Sequence, residues 1–392
     1  MENLAKLQEV CGIGTSQLRK DYKAVAGLRI NIITAGRYGS GVSEIISRAN
    51  IYVKELGLYS EWENIIAGEE FFVLSNKITR ALCFSFEKVS PADLKRFEQL
   101  SQQMDLNTAG YDALYINDHP GLLATQYAPA KRIYRCHFDI SGANPAVWEF
   151  FKPRIEACDE IIFTHPSFHK ELSGNISYIT PSIDPCTIKN TFVPREAALK
   201  VLKEFKIPSD KPIITQVGRF DRSKDPFGVI DAFRMIRSAA PCILVFAGGH
   251  AQEDTDSQAI FDELKEYAGG EADIFVLAIN EQDYKIAALQ SISDIIVQKS
   301  LSESFGLAIT EALWKARPVV ASNVGGIPLQ VKHDKTGLLC RDVKTCAAAM
   351  LEILENKALA QRLGRNGHDF VRGHFLITTE LEKHLAVFKK ML

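Results

Sequence analysis

The sequence predicts an α/β protein made of two doubly wound, Rossmann-like domains. Short apolar runs of strand length recur along the chain, separated by segments whose apolar residues return at helical spacing. That alternation favours parallel sheets with right-handed crossovers. The 392 residues are enough for two domains with separate cores. From Pro181 to Lys211 the pattern weakens, and Pro181, Pro185, Pro194, Pro208 and Pro212 surround one amphipathic run, Glu196 to Phe205, as in a hinge. We therefore expect a first domain over 1–185 and a second over 186–374, with a last helix of about 375–392 packing back on the first. Two such domains would face each other across a cleft into which the carboxyl ends of both sheets open, where open α/β sheets bind ligands.

The strands expected in the first domain are Arg29 to Thr34, Ala113 to Ile116, Glu160 to Thr164 and Ile176 to Thr180. In the second they are Ile213 to Val217, Ile243 to Ala247, Ile274 to Ala278, Ile295 to Gln298 and Pro318 to Ser322. Pro226 to Ala239 reads as a helix because Val229, Ile230, Phe233 and Ile236 fall on one face. In the last helix Leu381, Leu385, Phe388 and Leu392 form an apolar face beside Lys389 and Lys390. Docking on the first domain is the favoured reading of that face, and contact with a membrane surface the other.

Composition narrows the class. Forty-six Lys and Arg against 48 Asp and Glu give a formal net charge of −2, so no bulk basic field exists to hold nucleic acid or anionic lipid. A polyanionic ligand must be met by a local cluster. The first residues carry an acid where a secretory signal would carry positive charge, and no apolar run is long enough to span a bilayer, which points to a cytoplasmic protein without integral membrane segments. Cys11, Cys83, Cys136, Cys158, Cys186, Cys242, Cys340 and Cys346 are scattered without Cys-x-x-Cys spacing, so buried free thiols are expected rather than disulfides or a zinc ribbon.

Two constellations can carry chemistry. The strand ending at Val217 runs into Gly218 and Arg219, then Lys224, Asp225 and Pro226. Asp225 and Pro226 suit the start of a helix, while the guanidinium and ammonium suit a phosphate or diphosphate. A solvated loop whose cations face water explains the same residues equally well. The second runs from Gln298 and Lys299 through Glu303, Ser304, Phe305 and Gly306 into a helix opening near Leu307, which carries Glu311. Small residues let amides approach a ligand, and a helix amino end favours an anion. Glu303 and Glu311 could each accept hydrogen bonds from sugar hydroxyls, or serve as a capping acid and a surface residue.

The Glu-x7-Glu pair of Glu303 and Glu311, downstream of the Arg-x4-Lys pair of Arg219 and Lys224, resembles the donor-binding half of retaining GT-B glycosyltransferases such as glycogen, sucrose and trehalose synthases. The amino-terminal half extends the likeness through Gly39, Ser40 and Gly41 before a helix, then Cys136, His137, Asp139 and Ser141, and Asn144 with Trp148. These resemble the trehalose glycosyltransferring synthases and related trehalose phosphorylases. The resemblance implies that Arg219 and Lys224 hold the diphosphate, with Lys299 on the same side, and that Glu303 contacts donor-sugar hydroxyls. It further implies that Ser304 and the amides around Phe305, Gly306 and Leu307 meet sugar and phosphate, that Glu311 binds the ribose, and that the Gly39 to Gly41 loop approaches the diphosphate. His137 would lie near the reacting centre, and Asp139 would set acceptor hydroxyls. Asp118, Asn144 and Trp148 would complete the acceptor site, although a turn explains Asp118 as well.

The resulting expectation is retaining transfer of glucose from UDP- or ADP-glucose to free glucose, giving trehalose, with His137, Asp139, Arg219, Lys224 and Glu303 as the catalytic set. Nucleoside diphosphate glucose is then a substrate, no cofactor is tightly bound, no protein metal site is expected, Mg2+ is the ion that could accompany the diphosphate, and a homodimer stays open. A trehalose phosphorylase, a polysaccharide or lipid glycosyltransferase, and an inactive nucleotide-sugar-binding regulator remain as alternatives. Ser302 and Ser304 replace the Arg and Gly usual in the family loop, and Asn117 stands where the family often has His before Asp118. His165 and His169 have the i, i+4 spacing of a zinc pair but lack a third ligand, and read as structural, as does Trp314 within its helix.

Overall fold

A computed structural model describes residues 2–12, 14–35, 41–249, 255–280 and 282–392. It divides into two compact units: Met1–Pro181 together with Ile377–Leu392, and Ser182–Leu376.

The first unit is a six-stranded sheet in the order β2-β1-β3-β4-β5-β6, formed by β1 (Arg29–Thr34), β2 (Tyr59–Asn64), β3 (Ala113–Asn117), β4 (Lys131–Arg135), β5 (Glu160–Phe163) and β6 (Ile176–Tyr178). Every pairing in it is parallel. The helices cover both faces. On one, Phe71, Ile78, Phe97, Val147, Phe151 and Ile155 close over Leu114, Ile116, Tyr134 and Ile161. Over the other lie the helices Gly41–Glu55 and Ile377–Lys389, which touch each other. The second of these is tied down by the Tyr22 hydroxyl donating to Leu381 O at 2.7 Å and by Lys390 Nζ donating to both carboxylate oxygens of the buried Glu160 at 2.7 and 2.9 Å. Its apolar residues Leu381, Leu385 and Phe388 are buried, and each large apolar side chain so removed from water contributes about 1.5–3 kcal/mol.

The second unit has the order β12-β11-β10-β7-β8-β9, with β7 (Ile213–Val217), β8 (Ile243–Gly248), β9 (Ile274–Ala278), β10 (Ile295–Gln298), β11 (Val319–Ser322) and β12 (Leu338–Cys340), again all parallel. The strands β7, β8, β10 and β11 are buried on both faces and so read as largely apolar runs. The predicted helix after β7 runs Pro226–Ile236, with Val229, Ile230, Phe233 and Ile236 in the core. The divide at Pro181/Ser182 precedes the expected one at 185/186. Ile183 N donates to Phe375 O at 2.9 Å, so the segment entering this unit lies beside the segment leaving it.

All eight cysteines are free thiols, most of them buried. Among the described residues no helix is long and apolar enough to cross a membrane.

Candidate active site

A doubly wound sheet offers a ligand the crevice at the carboxyl ends of the strands where the winding reverses. In the second unit that point lies between the neighbours β7 and β10, and both predicted constellations follow these two strands. After β7, Arg222–Lys224 form a short 3-10 turn capped by Asp221, whose Oδ1 accepts from Ser223 N at 2.7 Å. Asp225 then adopts φ +47 and caps the next helix, its Oδ1 accepting from Gly228 N at 3.1 Å. Two cross-links fix this loop against the strands: Gln216 Nε2 donates to Lys224 O at 2.8 Å, and Leu301 N donates to Ser223 O at 2.7 Å.

The loops converge through charge. Lys224 Nζ is paired with the Glu303 carboxylate, and the buried Lys299 with Asp225. Arg219 extends beside them, its NH2 3.5 Å from Asp221 Oδ2 and its side chain 48% exposed. Gln216 to Phe220, Lys224, Pro226, Phe246 and Ala247 line a pocket of about 250 Å3 of empty space. Arg219, Lys224, Lys299 and Glu303, singled out from the sequence, are therefore gathered at one place in the fold.

The Glu303–Gly306 segment leads into the Leu307–Trp314 helix, with Gly306 at φ +88 before its first residue. The first amides of a helix have no partner within it, so Leu307 opens with donors toward a ligand. Phe305 differs, because its ring is buried edge-on against Phe375 and only its main chain can serve a ligand. Gly325 and Gly326 hold this segment from behind. Gly326 N donates to Glu303 O at 3.0 Å, and a β-carbon on Gly325, which sits at φ +51, would come 1.9 Å from Glu303 O. Gly325→Ala is therefore expected to cost about 2–4 kcal/mol and displace the Glu303 loop, seen as a lowered urea midpoint together with weakened nucleotide binding. An unchanged midpoint would show that the close approach is not required.

Glu311 departs from expectation. Rather than presenting a carboxylate to a ribose, it is fully buried: Lys189 Nζ lies 2.8 Å from Oε1 and Gln290 Nε2 donates to Oε2 at 2.9 Å. Burial alone would raise its carboxyl, but Lys189 and Lys315 hold it below the usual range. The helix turns this position inward, and its partner Lys189 comes from the distant linker, which no local spacing announces.

In the first unit the candidates sit after β3 and β4. Asp118 has φ +58 and ψ −179, a backbone that costs a non-glycine residue about 1–3 kcal/mol and is retained where surroundings enforce it. Its Oδ1 accepts from His137 N at 2.8 Å, and burial pushes the carboxyl up to about 7 against the opposing His137 amide and Arg135 charge. His137 is buried, and its Nε2–H donates to Asn117 Oδ1 at 2.9 Å. Burial, with the charge of Arg135, takes its imidazole well below the ordinary value and keeps it neutral. Asp139 is half-buried, its Oδ1 accepting from Ser141 N at 3.0 Å and Ser141 Oγ at 2.6 Å.

Two acceptor assignments are corrected. Asn144 caps the Pro145–Glu156 helix through Ala146 N and Val147 N, and its Nδ2 donates to Ser85 O and Glu87 O, which commits every polar atom to the fold. Trp148 is buried in the core one turn further on, so its ring is packing. Gly41 opens the Gly41–Glu55 helix, whereas Gly39 and Ser40 lie outside the described residues. His165 and His169 do not share a ligand: the first takes Ser167 N at 3.2 Å, and the second bonds Lys170 O and the Tyr178 hydroxyl. Trp314 stacks on His368 with centroids 4.5 Å apart.

Residues 200–370 match the family described as glycosyl transferases group 1, and residues 32–170 match the trehalose synthase N-terminal domain. The sucrose-phosphate synthase of Thermosynechococcus elongatus superposes with a TM-score of 0.70 at 19% identity, over 92% of this chain and 98% of that one. Fold and sequence together define a GT-B glycosyltransferase. Trehalose synthases from Rubrobacter xylanophilus and Thermococcus litoralis are 33% and 32% identical, over 93% and 90% of this chain and 91% and 88% of their own lengths. The chain belongs to the trehalose synthase family.

Proposed function

We propose that the protein moves glucose from UDP- or ADP-glucose to free glucose with retention at the anomeric carbon, forming trehalose. The observation that carries the proposal is the convergence of Arg219, Lys224 and Glu303 at the β7/β10 reversal, ahead of the Leu307 helix. In the transfer the bond from C1 to the diphosphate oxygen breaks, the acceptor hydroxyl oxygen bonds to C1, and its proton passes to the departing phosphate. The demand on the protein is to stabilise charge growing on that phosphate, which fixed cations and amides do best in a site shielded from water. Arg219 supplies a planar fork and Lys224 a compact charge. Glu303, already paired with Lys224, retains acceptor capacity for donor-sugar hydroxyls. His137, neutral and held by Asn117, can hydrogen-bond a sugar without repelling the developing oxocarbenium. Asp118 and Asp139 are the remaining carboxylates for acceptor hydroxyls.

Product analysis tests this. Purified protein is incubated with glucose and, separately, UDP-glucose, ADP-glucose, GDP-glucose and glucose 1-phosphate, each with and without Mg2+. Trehalose from a nucleoside diphosphate glucose, its new linkage retaining the donor configuration, is the expected result. Trehalose from glucose 1-phosphate alone would replace the proposal with a phosphorylase, and nucleotide binding without product would replace it with a regulator.

A further inference from the structure

The face of the first sheet beneath the Gly41–Glu55 and Ile377–Lys389 helices holds a pocket that the transfer reaction leaves unexplained. Ile30 and Ile32 of β1, Ile45 and Ile46 of the covering helix, and Phe388 supply an apolar wall around about 520 Å3 of empty space, partly open to solvent. Small-molecule sites are likewise apolar, with a few polar groups that fix orientation. Here those groups come from β3, β4 and the returning helix.

The central one is Arg135. It pairs in register with Asn117, is 3% exposed, and lines the pocket. Its NH2 donates to Ile179 O at 2.7 Å, while NH1 has no hydrogen-bond partner among the described residues. A buried guanidinium is costly unless its donors are met and its charge answered. The surroundings answer it incompletely. Tyr115 donates its hydroxyl to His384 Nε2 at 2.8 Å, and His384 Nδ1–H donates to Glu380 O at 3.1 Å, so this imidazole is neutral. His137 is neutral too. Lys383 adds a second cation, its Nζ donating to Thr180 Oγ1 at 3.2 Å, against the carboxylates of Glu380 and Asp118. No carboxylate oxygen lies within ion-pair distance of Arg135 among the described residues.

The geometry points to a binding site for a small organic anion, its carboxylate or phosphate on Arg135 and its apolar body against Ile30, Ile32, Ile46 and Phe388. It includes Asn117 and His137, so an occupant would touch the imidazole that the proposed transfer uses.

Titration calorimetry on the full chain, with no donor or acceptor sugar present, decides this independently of the transferase reading. The probes are hexanoate, phenyl phosphate, inorganic phosphate and hexanol. At least one of the first two is expected to bind, which of them distinguishing carboxylate from phosphate, with hexanol at least about tenfold weaker. Arg135→Met should weaken that binding by about tenfold or more. Ala49→Phe, which fills the pocket from the helix without touching Arg135, should remove it and keeps the test valid where Arg135→Met does not fold. The inference is overturned if neither organic anion binds, if Ala49→Phe leaves binding unchanged, or if inorganic phosphate binds as tightly as phenyl phosphate.

Discussion

Arg219→Ala is expected to lower kcat/KM for glucosyl transfer by about 100- to 1,000-fold, the usual effect of deleting one group that stabilises developing negative charge. Stability should hardly change, because the side chain is half exposed and its ion pair with Asp221 is long. Lys224→Ala should lose as much activity for a different total cost. Its partner Glu303 has a side chain only 10% exposed, and stranding that carboxylate should also destabilise the fold by about 1–3 kcal/mol. Steady-state rates beside urea midpoints for both variants separate the two effects. Wild-type kcat/KM in Arg219→Ala would remove it from the diphosphate; an unchanged midpoint in Lys224→Ala would show the pair to be structurally idle.

Acid should unfold the protein well before its carboxylates are titrated. His119, His137 and His384 are buried, and burial lowers all three imidazoles, the first and last to about 3. A depressed native value means the unfolded chain binds protons first. The stability is therefore complete above about pH 6.5 and is lost as pH falls toward the native values, by about 1 kcal/mol per pH unit for each imidazole. Asp118 works oppositely: its native value of about 7 exceeds the ordinary carboxylate value, so it gains stability over the same descent and offsets roughly one imidazole. A net loss of about 2 kcal/mol per unit below pH 6 should appear as a falling urea midpoint between pH 7.5 and 5, shallower in His384→Gln. A flat profile would mean that these histidines open to water without unfolding.

The strands legible in the sequence are those that carry an apolar run, the edge strands β6 and β9 included. β7, β8 and β10 are buried on both faces and carry largely apolar runs. β2 escaped notice because Tyr59–Asn64 lies at a sheet edge and reads as polar, with Glu61 and Glu63 along it. β4 opens on Lys131 and Arg132, and β12 is only Leu338–Cys340. The loop residues of the donor half were legible because their spacing is local: Arg219 and Lys224 share one loop, and Glu303 follows one strand. Glu311, Asn144 and Trp148 were misread for a common reason, that spacing says nothing of which way a helix faces. Lys189, Arg135 and His384 were missed because their meaning comes from partners far along the chain. Asn117 was visible as a substitution, but its bond to His137 was not.

The helix Ile377–Lys389 belongs to the unit that begins the chain, yet everything from Ser182 to Leu376 is synthesised before it. A nascent polypeptide can thus close the later sheet while the earlier one still lacks the lid over Ile30, Ile32 and Tyr115. Maturation should run in inverse order on the ribosome, with the amino-terminal half exposed to chaperones until the segment that seals it has emerged.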